Sequence, residues 1–383
     1  MVPTMPKQTA LSNPDISDPD ISDLGVSHRD AAGVPPLVFG GVDTHADTHT
    51  VAAVSHLGVM LGHARFPATP GGYRLHCWLA AHGSLIRVGV EGTGSYGAGL
   101  AAALTDRGVE LVEVNRPNRA TRRTRGKSDP IDAEAAARAA LNGVATAVPK
   151  AHTGVVEAIR VILVARRGAV QARTAAINTL HHMIITAPVR LRDQLQPLTR
   201  RHQIAVCSGL RSTDITSPTR ATKLALRRLA RRINHLTAEI SDATKDITAL
   251  IQGHAPQLLA EIGVGALSAA QLLITAGDNP DRMTSPAGFA ALCGTTPIPV
   301  SSGKTNRHRL NRGGDRQANC ALHTIINSRL RYHPETQAYA AKRSAERKTE
   351  PDIRRSLKRY LARRLFTLIL NPNQAAENLP AAA

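Results

Sequence analysis

Leu37-Val-Phe-Gly-Gly-Val-Asp43, answered later by Ile86-Arg-Val-Gly-Val-Glu91, is the pair of stretches on which the reading of this chain turns. Each is a largely apolar run of strand length that stops on a carboxylate. Between them lie two more strand-like runs, Thr48–Val54 and Val59–Phe66, joined by a turn at His56-Leu57-Gly58, and then a helical stretch over Gly71–His82. After Glu91 the pattern predicts a helix over Tyr96–Arg107 and a strand over Val109–Asn115. Short connections make the first three strands an antiparallel meander, and helical crossovers make the later strands join in parallel.

That order, βββαβαβα, is the ribonuclease-H-like pattern, in which the first and fourth strands are neighbours. Asp43 and Glu91 would then stand side by side. Two more acids follow in Lys127-Ser-Asp129-Pro-Ile-Asp132. Pro130 suits the first turn of a helix, with Asp129 at or near its N-cap and Asp132 one turn on, along the same face. Ala133–Leu141 continues as strong helix. Taken singly, each acid has a plain reading: a strand end, a cap, an ion-pair partner. Together, Asp43, Glu91, Asp129 and Asp132 describe a carboxylate set that can converge on divalent metal, with two ions about 3.5–4 Å apart in phosphodiester chemistry. Mg²⁺ suits such oxygen donors and Mn²⁺ can substitute. Arg116, Arg119, Arg122, Arg123, Arg125 and Lys127 lead straight into Asp129 and could present a phosphate backbone to it. His45 and His49 are four apart, but on turn and strand rather than helix, so zinc is not expected there.

The balance of charge agrees with a nucleic-acid partner. The 383 residues carry 48 basic against 29 acidic side chains, net +19, with a pI near 10.8. Only nine of the basic residues are Lys, and Arg is the better bidentate phosphate ligand. Aromatics are 3%, too few for RNA modules that stack bases on aromatic platforms. The four cysteines, Cys77, Cys207, Cys293 and Cys320, form no CxxC pair and suit a reducing compartment. No stretch is apolar enough to span a membrane, and no signal-peptide core is visible. The expectation is a cytoplasmic, DNA-associated bacterial protein.

Outside residues 37–148, the chain divides by pattern. Residues 1–36 read as a disordered tail with a direct repeat, Pro14-Asp-Ile-Ser-Asp18 then Pro19-Asp-Ile-Ser-Asp23, and five Asp against Lys7 and Arg29. Residues 149–255 read as long helices: Thr153–Thr186, a loop-like stretch over 205–218, and a second helix. That helix carries Leu226, Leu229, Ile233, Leu236, Ile240, Ala243, Ile247 and Leu250 at alternating steps of three and four. The spacing is a coiled-coil seam. It fits either a dimer or an antiparallel hairpin with the first helix. Residues 256–370 form a last helical region that opens with a helix-hairpin-helix-like element. Its Gly263-Val-Gly265 turn could offer backbone N–H groups to a phosphate. Residues 301–364 hold 17 basic and 5 acidic side chains. Within them Ser301-Ser302-Gly303-Lys304 opens a basic loop with Arg307, Arg309, Arg312 and Arg316. By spacing alone that stretch is a turn. Residues 371–383 read as a second disordered tail.

Val42-Asp43-Thr-His, Glu91-Gly-Thr-Gly and Lys127-Ser-Asp129-Pro-Ile-Asp132-Ala resemble the DEDD transposases of the IS110 insertion sequences, which are related to the pilin-gene invertase. Ile262-Gly-Val-Gly, Phe289–Gly294, Ser301-Ser-Gly-Lys304 and Arg312-Gly-Gly-Asp-Arg316 resemble that family's second domain, so the likeness runs in order from about residue 37 to 370. The resemblance implies a RuvC-like domain holding Mg²⁺ through the four acids, then a coiled coil, then a C-terminal domain with a nucleophilic serine. It assigns that serine to Ser302, with Ser301 as the alternative because the two are adjacent. One glycine follows the serines here, where many relatives have two. The resemblance further implies a covalent phosphoserine intermediate, donor and target DNA as substrates, dimers pairing into tetramers, and a structured bridge RNA. In that arrangement base pairing would read sequence while the protein holds backbones.

Other classes weigh against this one. A RuvC-like junction resolvase, or an invertase acting without guide RNA, would use the same four acids; a resolvase would not need the long second domain. A sugar-kinase-like fold shares Gly41-Val-Asp43 and Glu91-Gly-Thr-Gly94, but the surplus of positive charge counts against it. A non-catalytic RNA-binding protein would tolerate loss of Asp129.

Overall fold

Strand β1 (Leu37–Thr44) is covered along most of its length on both faces, which is why it reads as a continuous apolar run and not as an alternation. It is the middle strand of a five-stranded sheet in the computed structural model of the chain, which describes residues 35–114, 128–212, 215–303 and 308–370. The chain divides into two compact units, Met1–Lys150 and Ala151–Ala383.

In the first unit, β2 (Thr48–Ser55) and β3 (Met60–Pro67) extend an antiparallel meander from β1. Strand β4 (Ser84–Glu91) pairs with the other edge of β1 in parallel, and β5 (Leu111–Val114) pairs in parallel with β4. The order is β3-β2-β1-β4-β5. Helices α1 (Leu75–Ala81), α2 (Ala98–Thr105) and α3 (Asp129–Leu141) complete the unit. Side chains alternate between faces along a strand. Val38, Val42, Val88 and Val90 join Leu75, Leu79, Leu100 and Leu104 in the larger core, beneath α1 and α2. Gly41 and Gly89, directly paired between β1 and β4, point the other way, under α3. A methyl group on Gly41 would collide with the backbone of Ala133 and Ala137, and one on Gly89 would lie 2.6 Å from the Ala136 carbonyl oxygen. The two glycines and the alanine face of α3 thus bring helix backbone onto strand backbone.

Among its described residues the second unit is helical apart from one small hairpin. Helices α4 (Val155–Ile185) and α7 (Pro218–His254) are the longest. Val156, Ile159 and Leu163 share a core with Ile247 and Ile251, whereas Ala176, Leu180 and Ile184 share another with Leu226, Ala230 and Ile233. The start of α4 therefore meets the end of α7, and the pair is antiparallel within one chain. The heptad seam is buried at Leu226, Ile233, Ile240 and Ile247. At the far end α5 (Val189–Leu195) and α6 (Arg200–Gly209) close the second core. The loop expected over 205–218 starts later than the sequence suggested. Thr199 caps α6 by accepting from the His202 N–H, and Cys207 is buried, so helix persists to Gly209.

At the near end the two long helices merge with α8 (Pro256–Ala260), α9 (Ala266–Ala276), α10 (Pro286–Leu292), α11 (Arg316–Tyr332), α12 (Pro334–Ala345) and α13 (Glu350–Leu370). Phe289 and Phe366 stack at 5.0 Å in the centre of this core. Strands β6 (Ile298–Pro299) and β7 (His308–Arg309) pair antiparallel. Among the described residues no helix is long and apolar enough to cross a membrane.

Candidate active site

Asp43 follows Gly41, and Glu91 follows Gly89, by two residues. The strand period therefore turns both acids to the face that α3 covers. The two stand just beyond the Val42–Val90 pair at the ends of adjacent parallel strands. Thr44 ties the strand ends together by donating its hydroxyl to the Glu91 carbonyl oxygen at 2.8 Å. Ser128 is the N-cap of α3, so Asp129 is its first residue and Pro130 its second. Asp129 and Asp132 both lie in the first turn, where the helix dipole favours negative charge. The close seat of α3 on Gly41 and Gly89 carries this turn to the strand ends.

Asp43 and Asp132 are 7% and 6% exposed, whereas Asp129 and Glu91 are half-buried. His45, two residues past Asp43, places Nε2 3.1 Å from Asp43 Oδ2 and 3.4 Å from Asp129 Oδ1. Ligand atoms of Asp43, His45 and Asp129 all lie within 4.8 Å of one another. Glu91 is brought to the site by strand register and stands outside that tight group. Burial lifts the Asp43 carboxyl above its ordinary range; His45 pulls it down, and the Asp132 and Asp129 carboxylates push it up. A buried carboxyl whose proton affinity is raised by burial and by two neighbouring carboxylates belongs to a site that a cation relieves. The hard oxygen donors suit a divalent ion that prefers carboxylate.

Sequence reasoning missed two members of this cluster. His45 was set aside because zinc-type spacing needs a helix. Its signal was its place two residues beyond a strand-end acid. Arg65, on β3, donates to Asp129 Oδ2 at 3.0 Å; its sequence cue was a guanidinium in a strand whose other polar side chain is His63. A guanidinium beside the acids is suited to meeting a phosphate's charge. His49, the other histidine considered, is fully buried in β2 and stacks on Tyr73 at 5.9 Å, and burial lowers its pKa. It serves the core.

The remaining candidates either lie outside the described residues or belong to the second unit. Arg116, Arg119, Arg122, Arg123, Arg125, Lys127, Lys304 and Arg307 lie outside the described residues, as do the two tails, residues 1–34 and 371–383. Ser301 and Ser302 are exposed, between β6 and β7. Arg309 is on β7, Arg312 is exposed in the loop that follows it, and Arg316 is exposed as the first residue of α11. Between them Asp315 has a structural task. It caps α11 through the Gln317 and Ala318 N–H groups and accepts the Thr275 hydroxyl at 2.7 Å. Gly265 is the N-cap of α9 with open space around it. Gly263, at φ +83°, faces inward, where a side chain would meet Ile325 and Arg329 of α11.

Comparison with known proteins places these features in a lineage. Residues 40–187 match the transposase family described as DEDD_Tnp_IS110, and residues 256–341 match the Transposase IS116/IS110/IS902 family. The "Insertion element IS110 uncharacterized 43.6 kDa protein" of Streptomyces coelicolor is 29% identical over 182 residues. That segment is 47% of this chain and 42% of the relative, so the chain spans less than half of the relative's length. The two family matches fall in both halves of the chain, and the first contains all four acids. The chain belongs to the IS110 family of transposases.

Proposed function

We propose that the protein is a DNA recombinase of an insertion sequence that cuts and rejoins strands with a metal-binding acidic site and a serine nucleophile. The observation that carries this reading is the cluster at the β1 and α3 ends: Asp43 and Asp129 bracket His45, with Asp132 one helical turn on and Glu91 on the adjoining parallel strand. The strand order β3-β2-β1-β4-β5 supports a ribonuclease-H-like, RuvC-like assignment for residues 37–148.

In this reading Asp43, Glu91, Asp129 and Asp132 hold Mg²⁺, two ions per site, with Mn²⁺ as a substitute. The bound ions supply activation of the nucleophile and stabilisation of the leaving oxygen. Ser302 Oγ attacks the phosphorus, an Oγ–P ester forms, and the displaced strand leaves as a hydroxyl. Attack by another strand's hydroxyl then restores the serine and completes the exchange. Ser301 is the alternative nucleophile. The exposed position of both serines fits attack on a large substrate. Donor and target DNA are the substrates, a structured bridge RNA supplies the sequence reading, and protomers pair as dimers and tetramers. The protein works in the bacterial cytoplasm. Residues 149–255 form the coiled-coil region and residues 256–370 the serine-bearing domain.

The experiment is capture of a covalent protein–DNA adduct on an element-end substrate with Mg²⁺. Wild-type protein should form it, whereas Ser302→Ala and Asp129→Asn should not. An adduct that survives Ser302→Ala and vanishes in Ser301→Ala moves the nucleophile by one residue. Adducts in both serine variants overturn serine catalysis. Normal recombination by Asp129→Asn overturns the metal site.

A further inference from the structure

The β6–β7 hairpin that frames Ser301 and Ser302 has a cavity at its base. About 480 Å³ in volume, it is lined by Pro297, His308 and Arg309 of the hairpin and by residues of α12, α13 and their connection. Cations dominate its wall: Arg309, Arg343, Lys348, Arg355, Lys358 and Arg359. The nearby carboxylates are already engaged. Asp352, the acid in the lining, accepts from Arg355 and from the Thr349 hydroxyl, and Glu346 pairs with Arg343. Lys358 is the telling member. It is 9% exposed, and the hydrogen bond described for its ammonium goes to the neutral Asn319 Oδ1 at 2.8 Å. A charge buried this far is ordinarily matched by an opposite charge, and here the neighbour is Arg355. Burial and Arg355 both lower its proton affinity.

We propose that this cavity seats the phosphodiester backbone of a nucleic-acid strand beside the serine hairpin, with Lys358, Arg359, Lys348 and Arg309 as the phosphate contacts. The anion is a strand and not a single phosphate because the positive wall continues. A second cavity shares Arg355, Lys358 and Leu310 with the first and adds Arg331 and Arg354, the latter paired with Glu350, the acid in its lining. His323, which lines that second cavity, has its pKa lowered by burial and then by Lys358 and Arg354, so the positive field extends there. A row of cations along adjoining cavities matches the repeat of charge along a backbone. Contact is to backbone and not to bases, because among the described residues no Phe, Tyr or Trp lines either cavity and stacking needs them. The inference rests on the recombinase reading for the strand's purpose, but its chemistry stands on the cavity alone.

The test is the salt dependence of binding by the full chain, measured in EDTA so that no strand is cut, with duplex DNA of random sequence and a stem-loop RNA as probes. Lys358→Gln and Arg359→Gln should each weaken binding and reduce the slope of log affinity against log salt by about one. Arg309→Gln and Lys348→Gln, both at exposed positions, should do the same. They keep the test sound should the buried lysine prove necessary for folding, which thermal melting would reveal. Loss on DNA alone assigns the seat to a DNA strand, loss on RNA alone to an RNA strand, and loss on both to a shared backbone site. Wild-type slopes in all four variants on both probes overturn the proposal. So does selective loss of binding to polyglutamate, which would make the cavity a seat for acidic protein. Failure of the acid and serine chemistry would leave these slopes unchanged, whereas failure of the cavity would leave serine-dependent adduct formation in place.

Discussion

Asp43 is held under conditions that oppose its charge: it is nearly buried, and Asp129 and Asp132 stand close by. Its folded pKa lies above the ordinary 3.8. The folded state therefore binds this proton more tightly than the unfolded state. The stability Asp43 contributes is greatest below the ordinary value and declines as pH rises through the raised one. Asn mimics the protonated form. Asp43→Asn should then melt at a higher temperature than wild type near neutral pH in EDTA, and the gap should close in acid. Added Mg²⁺ should raise the melting temperature of wild type and leave the variant nearly unmoved, because ligand binding stabilises only the form that binds it. A variant less stable than wild type at neutral pH without metal would mean that Asp43 is a structural ion-pair partner. The residue scale also shows why His45 escaped the sequence reading. A histidine just past a strand end has no periodicity to mark it, and the turn that follows β1 returns its ring to Asp43 and Asp129.

At the scale of elements, the acid geometry depends on how closely α3 lies on β1 and β4. Gly41→Ala places a methyl group against helix backbone, which cannot rotate away. Overpacking of this kind costs about 1–3 kcal/mol or more. We expect loss of both stability and metal-dependent cleavage, read by denaturant titration and strand-cutting assays. Wild-type cleavage by Gly41→Ala would show that the helix seat does not set the acid positions. In the helical unit, Leu226→Ala should cost about 2–5 kcal/mol, the range for a buried leucine. Leu236→Ala, half-buried on the same seam, should cost clearly less. Equal losses would argue that Leu236 is covered in solution by a second protomer. The strands and long helices were legible because periods of two and of three-to-four are written directly into the apolar pattern. The partner of the heptad seam was not, since a seam looks the same whether another chain or the same chain covers it. Strands β6 and β7, two residues each and one containing proline, carry no period at all.

For the molecule as a whole, the legible part was the association of an α/β unit bearing carboxylates with a basic helical unit. The helical crossovers and the charge surplus announce both. What sequence left open is which basic residues matter. Asp315 and Gly263 sit in motifs that suggested ligand contact, yet one caps a helix and the other relieves a crowded helix junction. Lys358, by contrast, sits inside an ordinary amphipathic helix. Among the described residues its ammonium bonds the neutral Asn319 amide oxygen, a pairing set by the fold. The family matches begin at residue 40, and residues 1–36 carry charge opposite to the rest. Removing residues 1–36 should therefore leave adduct formation and strand exchange intact in a side-by-side assay with the full chain. Loss of either would assign the acidic stretch a part in the reaction.

The antiparallel pair α4 and α7 has a property of a measuring rod. A helix of 37 residues extends about 55 Å, and its two ends are anchored in separate cores. Between the cores Ala169 and Ile240 are buried, and Arg166 Nε donates to Thr244 Oγ1 across the pair. Length along this span is thus independent of either anchorage. Removing one heptad from each helix would preserve the stripe and shorten the rod by about 10 Å. Such graded variants would turn the reach of the α5–α6 tip from its base into an adjustable dimension.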